Sequence, residues 1–351
     1  VAGHHGGLPN VGNNKGEISS LTGRLSKNIE NYDAYKNEIS FEKDIDLSKI
    51  KSILKNNVFP DYSISFYIRM LFSWLVDADF LDTEHFMNCN ISRKIEYDFR
   101  EIKNKLILYM RKYKNAKGII NEKRQEILNS CIEYSEHKKG VYRLTVPTGG
   151  GKTLSSFTFA VNHLIKHNLN RIIYVIPYTS IIDQTAKIFK EIVGDNLVLE
   201  HHYNYEFEFD ENNVLSDQQL RLKHASQNWD YPIIVTTNVQ FFESLYSNKT
   251  SRCRKLHNLA NSIIIFDEVQ MFPYYFLKPC LLGIEELVLN YGTSVVLSSA
   301  TQPSFDKFFK KVKIKTFSGI ARTSDFMLQY SFTSKDKSLL WTEYRHQNFR
   351  T

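Results

Sequence analysis

The sequence predicts an α/β protein in which a parallel β-sheet, flanked by helices on both faces, follows an all-α region. Three observations predict this fold class. Six short runs rich in β-branched residues begin after residue 140, helical stretches separate most of them, and the preceding residues contain no convincing strand. Nearly continuous apolar strands that alternate with helices are typical of a parallel sheet buried on both faces.

The first 140 residues are predicted to be loops and helices. Residues 1–28 are rich in Gly, Asn and Ser, which favours loops with short turns. Apolar residues at helical spacing predict a largely buried helix over 62–81. Amphipathic patterns predict two further helices over 91–115 and 121–137.

The remaining residues alternate between predicted strands and helices, and the change in texture places a domain boundary near 117–140. The predicted strands cover 143–147, 171–177, 197–202, 232–237, 262–268 and 293–300. The predicted helices cover 153–167, 181–193 and 277–290. The length of 351 residues is also that of about two domains.

Composition excludes several classes of protein. A content of 42% hydrophobic and 24% charged residues is that of a globular chain and not of a disordered one. No run reaches the ~18 apolar residues of a membrane span. The four cysteines are widely spaced, which predicts reduced thiols and a cytoplasmic location. The net charge of +7 allows a polyanionic partner without establishing one.

A glycine-rich loop joins the first predicted strand to the helix that follows. Glycines let backbone N–H groups approach phosphates closely, and the helix directs its positive end at the same place. A lysine there would reach the terminal phosphates of ATP, and a threonine hydroxyl would ligate Mg²⁺. The strict pattern begins with glycine, whereas this loop has Val146 there; the candidate nucleotide ligands are Thr148, Gly149, Gly150, Gly151, Lys152 and Thr153.

Two carboxylates, Asp267 and Glu268, follow the predicted strand 262–268 at its carboxyl end. Ligands of open α/β sheets bind at such ends. Asp267 would hold the Mg²⁺ shell, and Glu268 would polarise the attacking water. The alternative is that an Asp at a strand end only caps the next helix. The phosphate loop in the same chain favours hydrolysis.

Other polar segments complete a set of candidate sites. Gln125 lies 27 residues before Lys152 and is a candidate adenine ligand, although it could be an ordinary surface residue of a helix. Hydroxyl residues at further strand ends could couple hydrolysis to movement or position a single-strand backbone without reading its sequence. The candidates for coupling are Ser299, Ala300 and Thr301, and those for the nucleic-acid backbone are Pro177, Thr179, Thr236 and Thr237.

The motif order PTGGGKT, PYTSIIDQT, TTNVQFFESL, DEVQ, SSAT resembles the first RecA-like domain of the CRISPR-associated helicase–nucleases of type I interference systems, which join an HD nuclease to a superfamily 2 helicase. The paired histidines of AGHHGGL and the segment SWLVDADFL resemble parts of that family's HD domain. The resemblance implies a partial, helical HD-type domain at 1–116, a RecA-like helicase domain at 117–320, and a linker at 321–351.

The resemblance also implies activities and partners. It implies ATP-driven translocation along single-stranded DNA with Mg²⁺, metal-dependent cleavage of that DNA, and recruitment by a guide-RNA surveillance complex. The metal ligands would be His4, His5 and Asp79, holding Mn²⁺, Ni²⁺, Co²⁺ or Fe²⁺. Asp77 lies about 200° from Asp79 around the helix and is assigned a supporting or structural contact. His201 and His202 are assigned to a strand end near the nucleic-acid path and not to a metal site.

The chain departs from the family pattern at both ends. The earlier nuclease ligands have no counterpart before His4, so we expect weak or absent nuclease activity. Only 50 residues follow Thr301, whereas a second RecA-like domain needs about 150. We therefore expect a fragment that binds ATP without translocating alone, with a second chain as one possible source of the missing parts. The alternatives are another superfamily 2 translocase, or a non-catalytic nucleotide- or DNA-binding remnant.

Overall fold

The computed structural model describes residues 6–12, 19–28, 31, 33–37, 48, 59–87, 95–113, 117–202 and 217–317. Its centre is a seven-stranded sheet in the order β3-β4-β2-β5-β6-β1-β7, and every neighbouring pair in this sheet is parallel. The strands are β1 Val141–Thr145, β2 Ile172–Ile176, β3 Val198–His201, β4 Ile233–Thr237, β5 Ile263–Phe266, β6 Ser294–Ser299 and β7 Ile314–Phe317. The predicted parallel, RecA-like sheet is thereby confirmed.

Helices cover both faces of the sheet. The described α-helices are α1 Leu21–Leu25, α2 Pro60–Met87, α3 Phe99–Met110, α4 Ile119–Tyr134, α5 Lys152–His167, α6 Ile182–Val193, α7 Asp217–Asn228, α8 Asn238–Tyr246, α9 Thr250–Cys253 and α10 Leu277–Asn290. No helix in these ranges is both long enough and apolar enough to cross a membrane.

Two hydrophobic cores form because side chains alternate across each strand. In β5, Ile263 and Ile265 point into the core built with α3, α4, α5 and α6. Ile264 and Phe266 point to the opposite core, which α8 and α10 complete. All four side chains are fully buried. The near-continuous apolar strands of the sequence therefore reflect a sheet covered on both sides.

The helices that precede the sheet pack directly onto it. Phe66 of α2 belongs to one core, and Phe99, Ile102 and Leu106 of α3 belong to the other. A buried ion pair also ties α2 to the sheet domain, because Arg254 donates from Nε to Asp77 Oδ1 at 2.9 Å. The proposed domain boundary at 116/117 stays a prediction, and α3 on its N-terminal side shares a core with the helices that follow.

The short helices α1, α8 and α9 were not predicted from the sequence, nor were the longer helix α7 and the strand β7. The helix α7 has few apolar residues, so its periodicity is weak. The edge strand β7 has only four residues, one of them a lysine, and this is too short for a strand pattern to be recognised. It pairs with β1 from Val141↔Ile314 onward. The predicted helix 91–115 is shorter in the structure, where α3 begins after the Asp98 cap.

Candidate nucleotide-binding site

The phosphate loop spans residues 146–151, between β1 and α5. Gly149 and Gly151 have φ values of +80° and +79°, which favour glycine. A Cβ on Gly150 would lie 2.7 Å from Val146 Cγ1 and 3.0 Å from Pro147 O. The Gly150 N–H donates to that same carbonyl at 3.0 Å. The loop is therefore a tight turn that has no room for a side chain at Gly150, which lets the backbone approach a phosphate closely.

Lys152 joins this loop to the two carboxylates that follow β5. Its Nζ lies 3.1 Å from Asp267 Oδ1, and it also forms an ion pair and hydrogen bond with Glu268 Oε1. The side chains of Lys152 and Asp267 are each only 12% exposed. Because parallel strands place their carboxyl ends at one edge, residues 116 positions apart in sequence meet here.

The two carboxylates have opposite pKa shifts. Burial raises the pKa of Asp267, and the nearby Lys152 ammonium offsets only part of this effect. Burial also acts to raise the pKa of Glu268, but hydrogen bonds from Lys152 and Gln270 outweigh it, so that pKa lies below its ordinary value. Glu268 adopts a left-handed conformation with φ +51°, which is uncommon for a residue with a side chain. It is therefore held ionised, in a backbone conformation found often at functional sites.

A chain of hydrogen bonds connects Glu268 to the end of β6. The Gln270 amide donates to Glu268 Oε2 at 2.6 Å, and the Ser299 hydroxyl approaches Gln270 Oε1 at 2.5 Å. The Thr301 N–H donates to the Ser299 hydroxyl oxygen at 3.0 Å. Hydrogen bonds thus connect two of the three predicted coupling residues, Ser299 and Thr301, to the Glu268 carboxylate, and Ala300 lies between them in sequence.

These residues suit ATP and Mg²⁺. The glycine turn leaves backbone amides at the start of α5, where phosphates bind well. The buried carboxylate of Asp267 and the hydroxyl of Thr153, the residue that follows Lys152, are oxygen ligands of the kind that Mg²⁺ prefers. Lys152 forms ion pairs with both carboxylates, and it is the cation expected to contact the terminal phosphates. The predicted nucleotide ligands that follow β1 and β5 therefore occupy one edge of the sheet.

Helix α4 borders the loop, although not through the residue that the sequence favoured. Arg124 donates from Nε and Nη2 to Gly149 O at 3.0 and 2.7 Å. The predicted adenine ligand, Gln125, is exposed and donates to Asn129 Oδ1 at 3.0 Å. Its role stays a prediction. Arg124 and Gln270 were not predicted as site residues from the sequence. Gln270 is the last residue of the DEVQ motif, and this position could have indicated a role for it.

Of the four predicted nucleic-acid contacts, Pro177 and Thr179 follow β2, and Thr236 and Thr237 are the last two residues of the neighbouring strand β4. Thr179 is exposed and Pro177 is half-buried. Thr236 is fully buried, and its hydroxyl donates to His201 O at 2.8 Å. The Thr237 hydroxyl accepts from Gln240 N at 3.2 Å and caps α8. The loop after β2 is therefore the more accessible of the two, and strand contact by any of these residues stays a prediction.

The predicted nuclease ligands are only partly described. His4 and His5 lie outside the described residues, and Asp79 is half-buried on α2. Within the described ranges, the group of three potential metal ligands consists of Asp183, Glu200 and His202, whose ligand atoms lie within 4.8 Å of one another. Lys190 already forms an ion pair with Glu200, which weakens that group as a cation site.

The comparisons with known proteins identify the helicase part. Residues 123–308 match the model of the DEAD/DEAH box helicase family, which covers more than half of the chain. This chain belongs to the DEAD/DEAH box helicase family. Members of the family use ATP and Mg²⁺, in agreement with the donors found at the phosphate loop.

The relatives confirm the predicted resemblance to CRISPR-associated helicase–nucleases. The chain is 34% identical over 178 residues to a CRISPR-associated nuclease/helicase Cas3 of Haloferax volcanii, covering 46% of this chain and 19% of that protein. It is 28% identical over 182 residues to a putative Cas3 of Methanocaldococcus jannaschii, covering 49% and 24%. The matched region of the chain thus covers less than a quarter of the length of each of these two relatives. A crystal structure of T. fusca Cas3 with AMPPNP aligns with TM-score 0.43 at 19% identity, over 53% of this chain and 22% of the other.

Proposed function

We propose that this chain is the nucleotide-binding motor domain of a CRISPR-associated nuclease/helicase, and that it couples ATP hydrolysis to movement along single-stranded DNA. The observation that carries the proposal is the placement of Lys152 between Asp267 and Glu268, at the edge where the phosphate loop opens. Similarity to two Cas3 nuclease/helicases supports the CRISPR assignment.

The chemistry divides among the residues of the site. When bound, Mg–ATP supplies the phosphoryl group and the charge that draws Lys152 away from the carboxylates. The turn at Gly149–Gly151 holds the phosphates with backbone amides, and Thr153 with Asp267 holds the metal. Glu268, freed from Lys152, accepts a proton from the attacking water. The hydrogen bond from Gln270, which also lowers the pKa of Glu268, keeps the carboxylate in its ionised form after Lys152 has moved away.

Coupling to DNA would run through the hydrogen bonds from Glu268 to Gln270 and Ser299. A change at Glu268 on hydrolysis alters the partner available to Gln270, and hence to the end of β6. The exposed loop after β2, with Thr179, would position the strand backbone, and such contacts carry no sequence preference. Single-stranded DNA displaced by a guide-RNA surveillance complex is the proposed substrate and partner, and a second RecA-like domain, in the same or another chain, would complete the motor.

We also propose that α2 belongs to an HD-type nuclease region in which Asp79, with His4 and His5, holds a divalent transition metal. Metal content after loading with Mn²⁺ or Ni²⁺ tests this directly. Asp79→Ala should lower the bound metal, whereas Asp82→Ala, at an exposed carboxylate on the same helix, should not. Equal metal content in both variants would remove Asp79 from the ligand set.

The test of the motor assignment is nucleotide-dependent strand binding. The affinity of the chain for a labelled oligodeoxythymidine is measured by anisotropy with and without Mg²⁺ and a non-hydrolysable ATP analogue. We expect the nucleotide to change strand affinity in the parent chain and not in Lys152→Ala. A parent chain that binds nucleotide but no strand would contradict the translocase assignment and favour a nucleotide-binding remnant.

A further inference from the structure

Among the described residues from β1 to β7, exposed apolar side chains concentrate at one edge of the sheet. Between β1 and β7, eight large apolar side chains of the described residues are strongly exposed, and seven of these follow the carboxyl ends of β2, β4 and β5. These three strands are neighbours, in the order β4-β2-β5. The seven residues are Tyr178, Ile181, Val239, Met271, Tyr274, Tyr275 and Phe276. An exposed apolar patch on one edge marks an interaction site more often than chance scatter.

The aromatic part of this edge is continuous. We define the aromatic strip as Tyr178, Met271, Tyr274, Tyr275 and Phe276. Tyr275 is 91% exposed and Tyr274 is 83% exposed, with their ring centroids 5.7 Å apart in an edge-to-face arrangement. The Tyr178 hydroxyl lies 3.7 Å from Met271 Sδ, which connects the loop after β2 to the segment after β5. The hydrogen bonds that link Lys152, Glu268, Gln270 and Ser299 do not involve these side chains.

The charge around the strip suits an anionic partner. The exposed apolar residues lie in segments without Asp or Glu, at 177–182, 237–242 and 269–284, although Asp183, Glu243 and Glu268 border these segments, and Lys278 is exposed beside Phe276. The chain as a whole carries a net charge of +7. A polyanion could therefore approach this edge without meeting carboxylates on the segments that form it.

We propose that the aromatic strip is a stacking platform for the bases of single-stranded nucleic acid. Aromatic faces accept any base, because every base has a π-face, whereas a duplex keeps those faces covered. Tyrosine suits this role because its ring stacks while its hydroxyl remains in water. The strip adjoins the exposed loop with Thr179, so a strand lying there could place its phosphates on the loop and its bases on the rings. The inference rests on the proposed function, since it assigns the bases of the strand that the motor would follow.

The experiment measures binding of the full 351-residue chain to a fluorescein-labelled oligodeoxythymidine at fixed salt. Tyr275→Ala and Tyr274→Ala should each weaken binding about fivefold or more, which is the range for loss of one base–aromatic stack. Tyr275→Phe should stay within about twofold, since the ring is kept. The control is Tyr113→Ala, at a tyrosine 55% exposed elsewhere on the surface, and it should have no effect.

An oligonucleotide of the same length without bases separates stacking from other effects. The parent and Tyr275→Ala should bind it equally, because the strand has nothing to stack. Unchanged affinity of both alanine variants for the normal strand would overturn the inference and leave the strip to a protein partner. A loss in Tyr275→Ala that persists with the abasic strand would overturn it as well. If the parent chain binds no strand at all, the proposed function fails as well. If the parent binds the strand and both alanine variants bind it equally well, only the inference about the strip fails.

Discussion

The Ser299 hydroxyl lies 2.5 Å from Gln270 Oε1, across the gap between the end of β6 and the segment that follows β5. The same glutamine donates its amide to Glu268 Oε2 at 2.6 Å. One side chain thus links the carboxylate expected to activate water with the segment expected to couple hydrolysis to movement. Gln270, the fourth residue of the DEVQ motif, is therefore part of the candidate site through these two hydrogen bonds.

Replacing Gln270 should change the ionisation of Glu268. Gln270→Ala removes a hydrogen bond that lowers the pKa of Glu268, so that pKa should rise. Gln270→Glu should raise it further, because it places a second carboxylate beside the first. Carboxyl ¹³C chemical shifts of Glu268 during a pH titration measure the effect. Gln125→Ala, at an exposed glutamine, is the control, and a Glu268 titration identical in all four proteins would show that the hydrogen bond does not form.

Gly150 should not tolerate a side chain. Its Cβ would meet Val146 Cγ1 at 2.7 Å and backbone oxygen at 3.0 Å, so Gly150→Ala must distort the loop. We expect a loss of about 1–3 kcal/mol in the free energy of unfolding together with weakened ATP binding. Gly140→Ala is the matched control, because its nearest neighbour is a flexible lysine terminus at 3.5 Å. Urea unfolding compares the two, and equal stabilities would mean that the loop is looser than described.

His163 should make stability depend on pH. It is fully buried, its Nδ1 lies 2.8 Å from Ser135 O, and its Nε2 lies 2.9 Å from Ser294 Oγ. Burial lowers its pKa from 6.5 to about 4. The unfolded chain therefore takes up a proton at a higher pH than the folded protein does. The resulting stability is present above pH ~6.5 and is lost as the pH falls towards 4, by about 3 kcal/mol at most.

His163→Gln should remove this part of the pH dependence. The free energy of unfolding, measured by urea at several pH values, should fall less steeply below pH ~6.5 in the variant than in the parent. His137→Gln, at an exposed histidine, should leave the slope unchanged. A parent and a His163→Gln variant with the same slope would place the titration in other groups.

Asp77 and Asp79 should differ sharply in their effect on folding. Asp77 is buried and accepts from Arg254 and from Asn228 Nδ2 at 3.1 Å, so Asp77→Ala leaves a buried guanidinium without its partner. We expect a loss of about 3–5 kcal/mol. Asp79→Ala, at a half-buried position without such a pair, should change stability by about 0.5 kcal/mol or less in metal-free protein. Comparable losses in the two variants would show that the ion pair does not anchor α2.

The fold class could be predicted because the central strands, above all β2 and β5, are buried on both faces and nearly all apolar. The phosphate loop and Asp267–Glu268 could be placed together because parallel strands present their carboxyl ends at one edge. The side-chain partners could not be predicted in the same way. The Thr236 hydroxyl donates to the His201 carbonyl, a contact that only the tertiary arrangement reveals, and contact of Thr236 with nucleic acid stays a prediction.

The structural role of Asp77 was partly foreseen and its partner was not. Helical geometry separated it from Asp79, which predicted a different contact. Arg254 lies 177 positions away, in a segment without a motif, so nothing local indicated the pair. Arg124 is a similar case. The sequence indicated its neighbour Gln125 as a candidate nucleotide ligand, whereas Arg124 is the residue that contacts Gly149 in the phosphate loop.

The most direct test of the nucleotide site is Mg–ATP binding by Lys152→Ala, measured by calorimetry beside the parent chain. Lys166→Ala is the control, since Lys166 lies on the same helix and forms a half-exposed ion pair with Glu136. Binding by the parent and by Lys166→Ala, with a loss of tenfold or more in Lys152→Ala, is the predicted result. Equal Mg–ATP affinity in all three proteins would contradict the assignment of the phosphate loop.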